Sequence, residues 1–140
     1  MFVLHQQLEK DCVLVGSFPL CQLLLMKDAQ YPWFILVPQR NNMSEIYQLS
    51  DEDQQQLNRE SIYLSKILMA TYKGDKLNIA ALGNVVPQLH IHHVVRYKDD
   101  ISWPAPIWGK HPAKPYADVE LKERLDELRS KLKLGFVANR

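Results

Sequence analysis

The chain is 140 residues long, enough for one domain that buries roughly two thirds of the surface its unfolded form exposes. Hydrophobic residues make up 46% and charged residues 24%, the proportions of an ordinary soluble globular protein, and a net charge of +1 gives no electrostatic basis for binding DNA or a membrane surface. No apolar run approaches the roughly 20 residues that span a bilayer, and His5, Glu9 and Lys10 stand where a secretory leader needs an apolar core, so the two cysteines, Cys12 and Cys21, read as reduced thiols in a cytoplasmic protein.

In chain order, residues 4–10 read as a short helix, and Asp11, Cys12, Val13, Leu14 and Val15 as a strand closed by Gly16 and Pro19. Residues 20–26 are a second strand, antiparallel to the first in a hairpin. After a polar break at residues 27–32, Trp33, Phe34, Ile35, Leu36 and Val37 form a continuous apolar run, the pattern of a central strand buried on both faces, and Pro38 ends it. Residues 44–49 predict one helical turn. Ser50 is an N-cap ahead of Asp51, Glu52 and Asp53, whose carboxylates meet the positive end of the helix dipole. Leu57, Ser61, Leu64, Leu68 and Thr71 form one stripe of that helix, flanked by Ile67 and Tyr72, with Gly74 as its stop. Residues 76–82 are a further strand, leading through Gly83, Asn84, Val85, Val86 and Pro87 into an antiparallel neighbour. Residues 101–116 hold Trp103, Trp108, Pro104, Pro106, Pro112 and Pro115, which predicts an irregular segment pinned by its tryptophans to the body or to a partner subunit. Residues 118–132 close the chain as a helix on Leu121, Leu125, Leu128 and Leu132. The sum is an α+β fold of about five mostly antiparallel strands, one long helix and a C-terminal helix, divided into a domain over residues 1–105 and an extension over 106–140 packed on it.

The neighbour of the fourth strand is Gln88, Leu89, His90, Ile91, His92, His93, Val94, Val95 and Arg96, which carries three of the five histidines. Alternation along a strand places Gln88, His90, His92, Val94 and Arg96 on one face and Leu89, Ile91, His93 and Val95 on the other. Three readings of this face are open. The histidines can be structural, the reading favoured for His93, His5 and His111. A metal site is the second, since His90 and His92 aim two nitrogens the same way, but Gln88 is a poor third ligand and no cysteine pairs with them. The third is nucleophilic attack by imidazole at phosphorus, which needs a hydrogen bond to fix the tautomer and donors around the phosphate; Gln88, His92 and Arg96 flank His90 with such groups.

The stretch from Gln88 to Arg96 resembles the alternating His-x-His-x-His pattern of the histidine triad (HIT) family of nucleotide hydrolases and transferases, with glutamine at the first histidine position. Tyr31, Pro32 and Trp33 leading into the long apolar strand, the capped helix from Asp51, and Gly83 and Asn84 extend the likeness over residues 4–96. The segment Trp103, Pro104, Ala105, Pro106, Ile107, Trp108 resembles a short bacterial subgroup.

The resemblance implies a HIT-like fold, a symmetric homodimer, and cleavage at the α-phosphate of nucleotide phosphoramidates or dinucleoside polyphosphates, with a purine nucleotide as substrate and no cofactor or metal. It puts the nucleophile on His90, which forms a nucleotidyl-histidine intermediate, and phosphate hydrogen bonding on His92. Gln88 can position but cannot carry a proton. Related uridylyltransferases place glutamine at the third position. Asp28 stands where many members have asparagine for the ribose hydroxyls, and Lys27, Asn84, Gly83 and Arg96 are candidate phosphate or nucleotide contacts; the loop before the motif is short and apolar, leaving Asn84 and backbone amides as its donors. The alternative is a nucleotide-binding or scaffolding protein that kept the pocket and lost turnover at Gln88.

Overall fold

The computed structural model describes residues 1–139. It is built on one six-stranded antiparallel sheet in the order β4-β5-β3-β2-β1-β6. The elements are α1 (Gln6–Asp11), β1 (Cys12–Ser17), β2 (Cys21–Met26), β3 (Trp33–Pro38), a 3₁₀ turn (Ile46–Gln48), α2 (Asp51–Tyr72), β4 (Lys76–Ala80), β5 (Ile91–Arg96), α3 (Asp118–Lys131) and β6 (Val137–Ala138). The apolar run of β3 occupies an inner position and divides its side chains between two cores. Phe34 and Leu36 join Leu23, Leu25, Ile91 and Val95 under α2 and α3. Ile35 and Val37 join Leu24, Val86 and Leu8 of α1 on the opposite face, where Phe2 and Leu4 of the N-terminal segment also pack.

Helix α2 begins where its sequence places it: the Ser50 hydroxyl accepts the backbone N–H of Asp53 at 3.1 Å. Leu57, Leu64 and Leu68 are buried against the sheet, each contributing about 2 kcal/mol relative to exposure. The stripe also contains Glu60, which the hydrophobic pattern conceals. Its carboxylate is fully buried and accepts the N–H groups of Leu20 and Cys21, both at 2.9 Å, and the Gln56 amide at 2.7 Å, so the helix clasps the start of β2 through charge-assisted bonds.

The fold class is the one expected, and among the described residues the sheet holds a sixth strand, because residues 137–138 pair with β1. Three expectations are corrected. Gly16 lies inside β1, beside a register shift, rather than ending it; a Cβ there would sit 2.4 Å from both Phe136 Cζ and the Val137 carbonyl oxygen, so only glycine lets β6 approach. The left-handed residue ending α2 is Lys73, at φ 51°, while Gly74 is required by contact, since a Cβ would lie 2.3 Å from Val95 Cγ1. The histidine strand starts at Ile91, so residues 88–90 precede its ladder. The segment from 97 to 117 has no helix or strand, as its prolines predict, and beyond it Leu125, Leu128 and Leu132 enter the core shared with α2. No described helix is long and apolar enough to cross a membrane.

Candidate functional site

β5 is an inner strand, hydrogen-bonded to β3 on one side and β4 on the other. His92 stands opposite Ile35, which puts Trp33 on its diagonal, within reach of an aromatic side chain. The Trp33 indole Nε1–H donates to His92 Nδ1 at 2.9 Å. Indole nitrogen only donates, so Nδ1 of His92 is the unprotonated nitrogen and Nε2 carries the hydrogen. His90 is fixed the opposite way. Its Nδ1 is 2.7 Å from the Gln88 carbonyl oxygen, which only accepts, so Nδ1–H donates and Nε2 keeps a lone pair. The two rings are edge to face with centroids 5.0 Å apart, and both residues are buried. One imidazole is arranged to attack and its neighbour to donate.

The His92 ring packs between residues that line two separate concavities. His90 borders a narrow recess lined by Ser44, Glu45, Leu82 and Gly83. On the other side the His92 ring packs on Trp33 and Trp108, at 5.8 and 5.3 Å, and these indoles wall a cleft of about 370 Å³ that also meets Lys27, Asp28 and His111. Asp28 is buried, and the bonds it accepts from the Gln30 backbone, the Gln30 amide and the Lys114 backbone all fall on Oδ1. Lys27 spends its ammonium on the Lys10 carbonyl at 3.1 Å. Gly83 takes φ 83° beside His90; Asn84 sits in the same loop.

Two residues expected at this site are engaged elsewhere. The Gln88 carboxamide accepts the His5 N–H at 2.8 Å and donates to the Val3 carbonyl at 2.9 Å, so it holds the N-terminal segment, and only its backbone serves His90. Arg96 is fully buried; its guanidinium bonds Asp100 at 2.8 and 3.0 Å and Asn78 at 2.8 Å, and lies over the Tyr31 and Trp103 rings. Sequence alternation does not name Trp33 and Trp108 as neighbours of the histidines. Trp33 lies two residues from the position opposite His92, a relation legible only once β3 and β5 are known to pair. Among the described residues, no group of three or more His, Cys, Asp or Glu could hold a metal ion.

His93 faces the helices. Its Nδ1–H donates to the Ile91 carbonyl at 3.1 Å, and its Nε2 accepts the Ser61 hydroxyl of α2 at 2.7 Å, so it is a satisfied core histidine. Burial lowers its pKa from 6.5 to about 4, against the carbonyl hydrogen bond that works to raise it. Burial, with the neighbouring His90 and His93, lowers that of His92 to about 3. The native state therefore refuses protons that the unfolded chain accepts below its ordinary value of 6.5, so this contribution is complete above 6.5 and is lost as pH falls toward 4 and 3. The loss is about 3–5 kcal/mol per imidazole at the acid end. Urea unfolding is expected to show stability falling between about pH 7 and about pH 4.5, with a shallower slope in His93→Gln; equal slopes in the two proteins would contradict this origin.

An antiparallel sheet with its two larger helices on one face, and two oppositely protonated imidazoles at one end of an inner strand, defines a class of α+β domains built around a histidine-bearing strand. The HIT domain family model matches residues 7–99, and the chain belongs to the histidine triad family. It is similar to histidine triad proteins of known structure from Marinobacter aquaeolei (48% identity, covering 93% of this chain and 95% of that one, TM-score 0.91), Bradyrhizobium japonicum (42%, 93% and 97%, 0.91) and Sinorhizobium meliloti (38%, 94% and 98%, 0.92). No curated protein matches it significantly. Proteins of this family are generally nucleotide-binding hydrolases and transferases.

Proposed function

We propose that the protein hydrolyses nucleotide phosphoramidates or dinucleoside polyphosphates at the α-phosphate through a nucleotidyl-His90 intermediate. The observation that carries this is the 2.7 Å bond from His90 Nδ1 to the Gln88 carbonyl, which leaves Nε2 as the nucleophilic lone pair beside His92. His92 Nε2–H donates to a phosphate oxygen, and Gly83 lies on the recess side, with Asn84 next to it in the chain. A purine nucleoside takes the cleft walled by Trp33 and Trp108, with its ribose hydroxyls on Asp28 Oδ2. The Trp108 indole N–H supports this use of the cleft, since it is a buried donor without a partner among the described residues. Incubation with diadenosine tetraphosphate or adenosine phosphoramidate is expected to release AMP and to label the protein transiently with the nucleotide. The second reading, a nucleotide-binding protein without turnover, is favoured by the Gln88 carboxamide being drawn away to residues 3 and 5. It predicts calorimetric binding of AMP with no release from either substrate.

The same reading includes a homodimer in the cytoplasm. Two buried free thiols fit a reducing compartment. β4 is an edge strand, and beside it Ile46, Ile62, Ile79 and Ile91 line an open groove of about 560 Å³ against α2. Ile79 is 51% exposed, an unprotected apolar residue on an edge that a second copy would cover. Ile79→Asp is expected to give monomers by sedimentation where the parent protein gives dimers; a parent that sediments as a monomer rules the dimer out.

A further inference from the structure

The leaving group must depart from phosphorus as His90 attacks, and the groups that could protonate it can be taken one by one. Gln88 carries no titratable proton, and its carboxamide is bound to residues 3 and 5. His90 keeps its own proton on Nδ1, where the Gln88 carbonyl holds it on the side of the ring away from the attacking nitrogen. His92 cannot take up a second proton at Nδ1 without displacing the Trp33 N–H that points at it, and the indole cannot relay a proton in its place. On the opposite face of the sheet, His93 is closed between Ile91 and Ser61. The other ionisable groups near the site are Glu45, an exposed carboxylate on the rim of the recess beside His90, and Lys10, Asp11, Lys27, Asp28 and the exposed His111 around the Trp108 cleft. The basic groups stand on the side where the nucleoside lies.

We propose, on the reading that His90 is the nucleophile, that this site selects leaving groups able to depart unprotonated as stable anions, such as phosphate, pyrophosphate, polyphosphate or carboxylate, over amines and alkoxides. In the step, the Nε2 lone pair of His90 forms the bond to the α-phosphorus and the electron pair of the breaking bond leaves with the anion. Nδ1–H stays on the ring, which becomes a nucleotidyl-imidazolium. Water then attacks phosphorus and gives its proton to solvent, and the P–N electron pair returns to Nε2, releasing the nucleoside monophosphate and neutral His90. Nothing in this sequence hands a proton to the first leaving group. Trp33 is a positioning residue that acts through His92, and the low basicity of His92 points the same way. A general acid is worth about 10²–10⁴-fold where the leaving group needs one.

The test compares AMP release from diadenosine tetraphosphate, adenosine phosphoramidate and a series of aryl esters of AMP graded in phenol acidity. Release from the tetraphosphate is expected to exceed that from the phosphoramidate by at least about 100-fold, and the ester rates to rise steeply with phenol acidity. Trp33→Phe, which uncovers Nδ1 of His92, and Trp33→His, which places a proton-carrying ring against it, are both expected to narrow the gap and flatten the ester series. A phosphoramidate turned over as fast as the tetraphosphate, or a flat ester series in the parent protein, overturns the selectivity and leaves His90 as nucleophile. Absence of AMP release from every substrate removes both. The parent ester series decides the matter even if the Trp33 variants fail to fold.

Discussion

Replacement of His90 by asparagine is expected to cut AMP release from diadenosine tetraphosphate by at least about 10⁴-fold, the scale on which enzymes lose rate with their nucleophile. The asparagine amide can still donate to the Gln88 carbonyl, the bond that His90 makes at 2.7 Å, so the loop keeps its anchor. The side chain is smaller and uncharged, and His90 lies on the recess rather than in either apolar core, so the fold should survive. The loss should fall on kcat with little change in KM, and the nucleotide label on the protein should vanish. Release that persists at near the parent rate would mean that water attacks phosphorus directly and that His90 only lines the site.

Arg96→Leu is expected to cost about 3–5 kcal/mol of stability, the penalty for leaving one member of a buried ion pair behind. The Arg96 and Asp100 side chains are 1% and 4% exposed. Asp100 also collects the backbone N–H groups of Tyr97 at 3.1 Å, Ser102 at 3.1 Å and Trp103 at 2.8 Å, so the pair organises the turn leading into the tryptophan segment. Burial works to raise the Asp100 pKa, and the hydrogen bonds from Arg96 and these amides overcome it and hold the carboxyl below its ordinary value. Lysine should not rescue, because the planar fork that reaches both carboxylate oxygens and Asn78 is lost. Arg96→Leu with Asp100→Asn should recover part of the loss by removing the stranded charge. Urea unfolding measures all three, and a cost under about 1 kcal/mol for the single variant would contradict the assignment.

The elements that sequence made legible are those whose signals are local. The Ser50 cap, the leucine stripe of α2 and the apolar run of β3 state their structure within a few residues, and each lies where expected. What escaped depends on partners far along the chain. β6 is two residues long and exists because Gly16, 121 positions before Val137, leaves room for it. Strand alternation put Arg96 on the face of the site, yet it could not show that Asp100, one turn of chain later, takes the guanidinium. Gln88 continues the alternation of the site face, but the ladder begins at Ile91 and frees its side chain to turn toward residues 3 and 5. The partner of His92 was in view as an aromatic before a strand; its role needed the antiparallel register of β3 with β5.

One consequence follows from the way Gln88 divides its labour. Its side-chain amide grips the backbone of Val3 and His5 while its carbonyl dictates which nitrogen of His90 is bare. The reactivity of the imidazole is thereby leashed to the backbone of Val3 and His5, so rebuilding that short stretch is a way to detune the nucleophile from afar, with every side chain around the phosphorus left in place.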